Sequence, residues 1–269
     1  MILCISANPA IDRRLRLERL IVGKVNRTHS VEAAPGGKAA HVAMVAKALG
    51  EDALWIGMLG GAPGEECERG LRALGIQVHP VRTGSPTRVN LEIIDAAGAV
   101  TEVLEPGGAV TAEECNELLR VCRELFARYQ ETALAVISGS LPPGAPTDFY
   151  AALIRTARAY GCRTLLDASG QPLLTALAAA PDFVKPNREE AAWATNSTVT
   201  DAASAVEAAR WMIERGARSA AISLGADGLV WLSGKDAAPL FAPSLKIDVR
   251  STVGCGDATV AGFAISIVR

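Results

Sequence analysis

The segment Ser251-Thr-Val-Gly-Cys-Gly-Asp257-Ala-Thr-Val-Ala-Gly262 carries the most suggestive chemistry in the chain. Two glycines flank a small residue, an Asp follows at once, and an apolar helical run from Ala258 to Val268 begins there. Glycine reaches backbone angles closed to other residues, so the N–H groups of Gly254, Cys255 and Gly256 can turn toward one point. That point lies at a helix N-terminus, where unpaired amides and the helix dipole favour negative charge. Such a pocket suits a phosphoryl group in transfer, with Asp257 beside it to orient an attacking hydroxyl. A glycine-rich turn whose Asp merely favours the first helical turn would use the same residues.

Other clusters have the same double character. Ala34-Pro35-Gly36-Gly37-Lys38 precedes a helix but fails as a P-loop, because the first glycine would fall at Glu32 and Lys38 is followed by Ala39. The Gly36-Gly37 pair can still let backbone approach a small ligand, with Lys38 supplying one positive charge. Lys185-Pro-Asn187-Arg-Glu-Glu190 opens a helix with Asn187 and Glu190 three apart on one face. The pair could hold magnesium-bound water, or serve only as a reciprocal N-cap. Ser138-Gly139-Ser140-Leu-Pro142-Pro-Gly144 ends an apolar strand, where open α/β sheets gather ligands. Ser223-Leu-Gly225-Ala-Asp-Gly228 ends another, and reads as a nucleotide loop or a plain β-turn. Asp12 and Thr87-Arg88-Val-Asn90 fall on alternating segments, where polar residues alone are commonly solvated.

Bulk composition excludes several classes. Lys and Arg total 27 against 29 Asp and Glu, giving a net charge of −2, and basic residues are scattered. No electrostatic case exists for nucleic acid or an anionic membrane. Six cysteines show neither C-x-x-C spacing nor the density of a secreted scaffold, which favours a reducing cytoplasm. Three histidines, at 29, 41 and 79, suggest no zinc site. The start of the chain has no basic leader, and the run Thr259–Val268 spans about half the ~20 residues a bilayer needs. A soluble cytoplasmic protein is expected.

Stepping outward to the elements, β-rich runs alternate with helical patterns. Strands are expected at Ile2–Ser6, Ala53–Leu59, Leu134–Ser138, Arg163–Asp167, Phe183–Lys185 and Ala220–Leu224. Helices are expected at Ala39–Leu49, Glu65–Leu74, Thr111–Tyr129 (opened by the capping box Thr111-x-x-Glu114), Pro146–Tyr160 and Thr200–Arg215. This alternation implies βαβ units and a mainly parallel sheet covered by helices. Two stretches, at about 12–34 and 78–104, alternate with period two instead, as in Val89-Asn90-Leu91-Glu92-Ile93. They predict a small projecting sheet whose apolar face must close over a ligand or pair with a second subunit.

In order and spacing, Asn8-Pro-Ala-Ile-Asp12, Gly36-Gly37-Lys38, Thr87-Arg88-Val-Asn90, Gly139-Ser140-Leu-Pro142, Lys185-Pro-Asn187-x-x-Glu190, Ser223-Leu-Gly225 and Gly254-Cys-Gly256-Asp257 resemble the PfkB (ribokinase-like) carbohydrate kinases. The resemblance covers the whole chain, 1–269, and is greatest to the phosphosugar branch of 1-phosphofructokinase and tagatose-6-phosphate kinase. It implies a single α/β domain with a three-layer core, a mainly parallel central sheet and a β-sheet lid. It also implies ATP with Mg²⁺, a ketohexose phosphate as acceptor, and possible dimerisation through the lids.

By that resemblance Asp257 is the base and Gly254, Cys255 and Gly256 form the anion hole. Asp12, Gly36, Gly37, Lys38, His41, Arg88, Asn90, Gly139 and Ser140 hold the acceptor, with Lys38 and Arg88 against its phosphate. Lys185, Asn187, Glu190, Ser223, Gly225 and Gly228 border the nucleotide, Asn187 and Glu190 through magnesium-bound water. Three features depart from the family pattern. Ala39 and His41 stand where the family has Gly and Asn, the imidazole able to titrate near neutrality. Cys255 replaces the usual Ala or Ser. The chain ends at Arg269, where the family continues through further helices, so either the sequence is shortened or the nucleotide site is incomplete. A non-catalytic sugar-phosphate binding protein is the alternative these departures suggest, as is a PfkB kinase of an unphosphorylated sugar or a nucleoside.

Overall fold

Strand β1, Ile2–Ser6, is buried along its whole length, and its side chains divide between two cores. Leu3 and Ile5 point to one face, Ile2 and Cys4 to the other, as the period of two requires. The computed structural model describes residues 1–248 and 253–269, so Ser251 and Thr252 of the glycine-rich segment lie outside the described residues.

Chain order then runs β2 (Ala10–Arg16), β3 (Ser30–Gly36), α1 (Lys38–Ala48), β4 (Ala53–Leu59), α2 (Gly61–Ala73) and β5 (Gln77–Arg82). Next come β6 (Arg88–Ile94), β7 (Val100–Val103), α3 (Ala112–Tyr129), β8 (Leu134–Ser138), α4 (Phe149–Ala159) and β9 (Arg163–Asp167). The last part holds α5 (Gly170–Leu177), β10 (Phe183–Val184), α6 (Arg188–Thr195), α7 (Ala202–Glu214), β11 (Ala220–Ser223), β12 (Leu229–Leu232), β13 (Leu240–Ala242) and α8 (Cys255–Val268).

Nine strands form the large sheet in the order β13-β12-β11-β10-β9-β8-β1-β4-β5, parallel except for β12 and β13. Helices α1, α2 and α8 cover one face through Ala43, Leu71 and Val260, while α3 to α7 cover the other through residues such as Phe126, Tyr150 and Leu173. The mainly parallel, helix-covered sheet expected from the alternation and the three-layer core implied by the resemblance are therefore present. After β5 the chain crosses β4 and β1 and resumes at β8, which puts a topological switch point between β1 and β8.

The small sheet has the order β3-β2-β6-β7, with β2 and β6 parallel and the outer pairs antiparallel. The second insertion is shorter than expected. Residues 77–82 pair with β4 in the large sheet, so only β6 and β7 project. Asp95–Gly98 makes the turn between them, with Asp95 N–H donating to the Ala99 carbonyl at 3.1 Å. The faces also differ from a simple amphipathic reading. Asn90 and Glu92 are buried, whereas Val89, Leu91 and Ile93 are only half-buried and Val31 and Val103 are half-exposed. The polar face is the one turned toward the core.

Element boundaries shift modestly. Helix α4 starts at Phe149 rather than Pro146, α2 starts four residues earlier than expected, and α8 starts at Cys255 rather than Ala258. Helix α5 and strands β12 and β13 were not anticipated. Among the described residues no helix is long and apolar enough to cross a membrane. The capping box of α3 is formed on both sides: Thr111 Oγ1 accepts from Glu114 N–H at 3.2 Å, and Glu114 Oε2 accepts from Thr111 N–H at 2.8 Å. Replacing Thr111 with Ala is expected to lower unfolding free energy by about 1 kcal/mol in urea titrations, while Thr111→Ser is near neutral.

Candidate active site

In an open parallel sheet, ligands gather at the carboxyl ends of strands beside the switch point. Here that edge supplies Asn8 after β1, Gly139 and Ser140 after β8, Asp167 ending β9, Lys185 after β10 and Ser223 ending β11. They open onto a cleft of about 1190 Å³ between the two sheets, whose far wall carries Asp12, Arg88 and Asn90.

Helix α8 points its N-terminus into this cleft. Its N-cap, Gly254, has φ +76°, a left-handed conformation that favours glycine. Gly256 lies inside the first turn with ordinary φ, so only one of the two glycines needs special backbone angles. The Lys185 ammonium faces this turn, 3.9 Å from where a Cβ on Gly256 would stand, an ordinary contact distance. Cys255 is exposed and Asp257 is 7% exposed, with its carboxylate on the cleft rather than in the apolar interior.

Asp257 meets His41, carried three residues into α1. Nδ1 of His41 lies 2.8 Å from Asp257 Oδ2, and Nε2 lies 3.0 Å from Asp12 Oδ2. Burial alone would lower the imidazole pKa, but hydrogen bonds and charge from Asp12 and Asp257 raise it to about 10. His41 is thus an imidazolium with both ring nitrogens donating, and the titration near neutrality expected for it is displaced upward. Burial would likewise raise the Asp12 carboxyl. Hydrogen bonds from His41 and from Asn90 Nδ2, at 2.9 Å, outweigh it and hold Asp12 below the ordinary carboxylate range. This packing demands glycine at 36, where a Cβ would fall 2.2 Å from Asp12 Cγ. Gly37, at φ +85°, turns the chain into α1.

One turn before His41, Lys38 Nζ lies 3.3 Å from Asp167 Oδ1 and 3.2 Å from Glu190 Oε1. Burial opposes its charge, yet Asp167, Glu190 and Asp257 hold its pKa above the usual lysine value. Asp167, 1% exposed, also takes Lys185 Nζ at 3.7 Å and the Ser138 hydroxyl at 3.3 Å. Glu190 does two things at once. Its Oε2 accepts from Asn187 N–H at 2.9 Å while Asn187 Oδ1 accepts from Glu190 N–H at 2.8 Å, completing the capping box of α6. Its Oε1 remains on Lys38. The cap reading of Asn187-x-x-Glu190 is therefore correct, and it leaves a carboxylate facing the cleft.

On the small sheet, Arg88 donates to the carbonyls of Glu105 and Asn8 at 2.9 and 3.0 Å. Its buried Nε, and Oδ1 of Asn90, have no partner among the described residues. The other polar atoms of these two side chains, the terminal Arg88 guanidinium nitrogens and Asn90 Nδ2, are the ones engaged in hydrogen bonds. Ser140 is exposed beside them, its Oγ accepting from Asn8 Nδ2 at 3.1 Å. Gly225 and Gly228 lie in the hairpin turn between β11 and β12; Gly228 packs against β13, where a Cβ would meet the Ala242 carbonyl at 2.3 Å.

Every residue given a site role from the sequence except Gly36 lines this one cleft, while Asn8, Ala39 and Thr87 of the same motifs do not. Gly36 stands behind it, shaping Asp12. Sequence reasoning missed Asp167, which pairs with both lysines. Its signal was its place as the one acid ending a buried strand at the carboxyl edge. Glu92 and Glu102 were missed as well, because the alternation of β6 was read with its polar side toward solvent. They sit opposite one another across β6 and β7, on the cleft wall.

Comparison with known proteins bears on this arrangement. The model for "pfkB family carbohydrate kinase" matches residues 1–269. The chain is 36% identical to a 1-phosphofructokinase of Xanthomonas campestris pv. campestris, covering 98% of this chain and 83% of that protein. It is 33% identical to a tagatose-6-phosphate kinase of Staphylococcus epidermidis, covering 100% and 86%. Among solved structures, phosphofructokinase-2 from Escherichia coli superposes with a TM-score of 0.91 in its tetrameric inhibited form, at 28% identity over 99% of this chain and 87% of that one. The same enzyme in complex with fructose-6-phosphate gives 0.90, over 99% and 86%. The chain therefore belongs to the pfkB family of carbohydrate kinases, phosphotransferases with an alcohol group as acceptor.

Proposed function

We propose that the chain transfers the γ-phosphoryl group of ATP to a hydroxyl of a ketohexose phosphate. The observation that carries this reading is the Asp257 carboxylate, held at the cleft one step inside the helix whose N-terminal amides face the same space. Asp257 Oδ2 is held by His41, and Oδ1 accepts no hydrogen bond from the described residues. Oδ1 takes the acceptor's hydroxyl proton as the oxygen attacks the γ-phosphorus; the bond to the β–γ bridging oxygen breaks and ADP leaves. The Gly254, Cys255 and Gly256 amides meet the charge that develops on the transferred group.

Asp12, Gly37, Asn90, Gly139 and Ser140 bind the sugar, with Gly36 giving Asp12 its room. Arg88 and Lys38 face the acceptor's phosphate. Lys185, Ser223, Gly225 and Gly228 border the nucleotide, whose phosphates compete for cations already engaged with Asp167 and Glu190. Hard oxygen donors at Asn187, Glu190 and Asp167 fit a hydrated Mg²⁺ held through water. When bound, that ion neutralises triphosphate charge that the lysines alone cannot. The small sheet acts as the lid that excludes water. Its half-buried apolar face, with Leu15, Val31, Leu91 and Ile93, is the surface a second copy would cover, in keeping with the tetrameric form of the E. coli relative.

A second acceptor class has one observation in its favour. Below Asn90 the cleft wall continues into Glu92 and Glu102, whose mutual repulsion, with burial as the larger cause, raises the Glu102 pKa. Carboxylates there suit hydroxyls better than phosphate, so unphosphorylated hexoses belong on the same panel. A coupled ADP-release assay across sugars and sugar phosphates is expected to give its largest kcat/KM with a ketohexose phosphate. In Asp257→Asn, turnover should fall by about 10²–10⁴-fold with acceptor affinity little changed. Undiminished turnover in that variant, or tight sugar-phosphate binding with no ATP binding at millimolar concentration, overturns the kinase mechanism.

Asp167 gives a separate stability test. Asp167→Ala leaves Lys185, 2% exposed, without its carboxylate and is expected to cost about 3–5 kcal/mol in urea unfolding. Adding Lys185→Met should recover much of that loss, since the buried charge then disappears with its partner.

A further inference from the structure

His41 joins three parts of the molecule that the chain brings together from far apart. Its own helix α1 belongs to the core, Asp12 to strand β2 of the small sheet, and Asp257 to α8, 216 residues further along the sequence. The ring bonds to one carboxylate on each side, at 3.0 and 2.8 Å, with its side chain 22% exposed. We propose that His41 is a positioning residue for phosphoryl transfer: its imidazolium clamps Asp12 and Asp257 together, so that the acceptor's ligand on the small sheet and the base on the core are set at one fixed spacing. The inference rests on the kinase reading of Asp257.

The geometry has a direct chemical consequence. Two carboxylates that both touch one ring would repel each other without a charge between them, and only a doubly protonated imidazole donates to both. It commits Oδ2 of Asp257 and leaves Oδ1 for the acceptor. An amide at this position has no charge, and its two N–H donors share one nitrogen, so it cannot bond acids on opposite sides as the ring does. The clamp also ties lid to base, so that movement of β2 away from the core pulls on the carboxylate that must aim the hydroxyl.

The cavities that His41 lines are also lined by Asp12 and Arg14 from β2, Glu32 from β3, Arg88 and Glu92 from β6, Glu102 from β7, Lys38 from its own helix, and Asp257 with Cys255 from α8. Asp12 and Asp257 are the groups that hold its proton. The folded-state pKa of about 10 lies above the 6.5 of a free imidazole. The clamp's contribution is therefore complete below about pH 6.5, declines above it, and is lost as pH rises through about 10. Above that point the neutral ring keeps one N–H and must release an acid.

Two measurements on the full chain test this. In an NMR titration of the ring nitrogens, with the His41 signals assigned by their loss in His41→Gln, both nitrogens are expected to stay protonated through pH 9. In Asp257→Asn the titration should move down by at least one unit. A ring that is neutral at pH 8 overturns the clamp without reference to activity. In pH profiles with the best acceptor, His41→Gln and His41→Asn are expected to lower kcat on the order of 10²-fold, with KM for ATP unchanged and the alkaline limb near pH 10 gone. If either variant folds, by circular dichroism, and keeps kcat within twofold and the same alkaline limb, the positioning role is wrong. Full turnover in Asp257→Asn instead defeats the kinase reading itself, so the two failures separate.

Discussion

Asp12, Asp167, Glu190 and Asp257 are among the carboxylates that line one cleft, and no fold gathers that much like charge out of bulk water without cations threaded between them. Lys38, His41 and Lys185 are those cations, and each touches at least one of the acids. Charge alternates within each of two groups, Asp12–His41–Asp257 and Glu190–Lys38–Asp167–Lys185. Lys38 and His41 lie one turn apart on α1, so a single helix orients both groups. Displacing α1 by even a fraction of a turn would unpair acids on two separate strands and two other helices.

That dependence explains why the entry to α1 is so constrained. Gly36 gives up a side chain so that the Asp12 carboxylate can pass within reach of His41, and Gly37 takes the left-handed turn that starts the helix at Lys38. The helix then needs small residues to lie flat against the sheet and α8, which Ala39, Ala40, Ala43 and Ala46 supply, each with no exposed surface. Ala39, where the family pattern has glycine, is one of these fully buried contacts. An extra methyl is accommodated there because it packs inward, away from the cleft.

Much of this was legible before any coordinates. Buried parallel strands declare themselves as short apolar runs, and the capping boxes at Thr111 and Asn187 were readable from spacing alone. The glycines at 36, 37 and 254 marked the turns around the site. What escaped were residues whose meaning lies in partners distant in sequence. Asp167 looks like any acid at a strand end until two lysines from elsewhere converge on it. His41 could be flagged as unusual, but its charge state is set by two carboxylates that no local pattern connects. Strand β5 was misassigned because a half-exposed edge strand of a parallel sheet alternates much as a lid strand does.

The small sheet carries the same lesson further. Alternation in β6 establishes that two faces differ, but says nothing about which one is dry. A soluble sheet on its own would turn Val89, Leu91 and Ile93 inward. This one turns Arg88, Asn90 and Glu92 toward the core instead, because what lies between the sheets is an open cleft lined by charged side chains such as Lys38, Asp167 and Asp257 rather than a closed apolar interior. Burying Asn90 and Glu92 is tolerable only with partners, which Asp12 and Arg14 supply at 2.9 Å each. Nε of Arg88 and Oδ1 of Asn90 stay buried without a partner among the described residues, a cost that the surrounding packing has to carry.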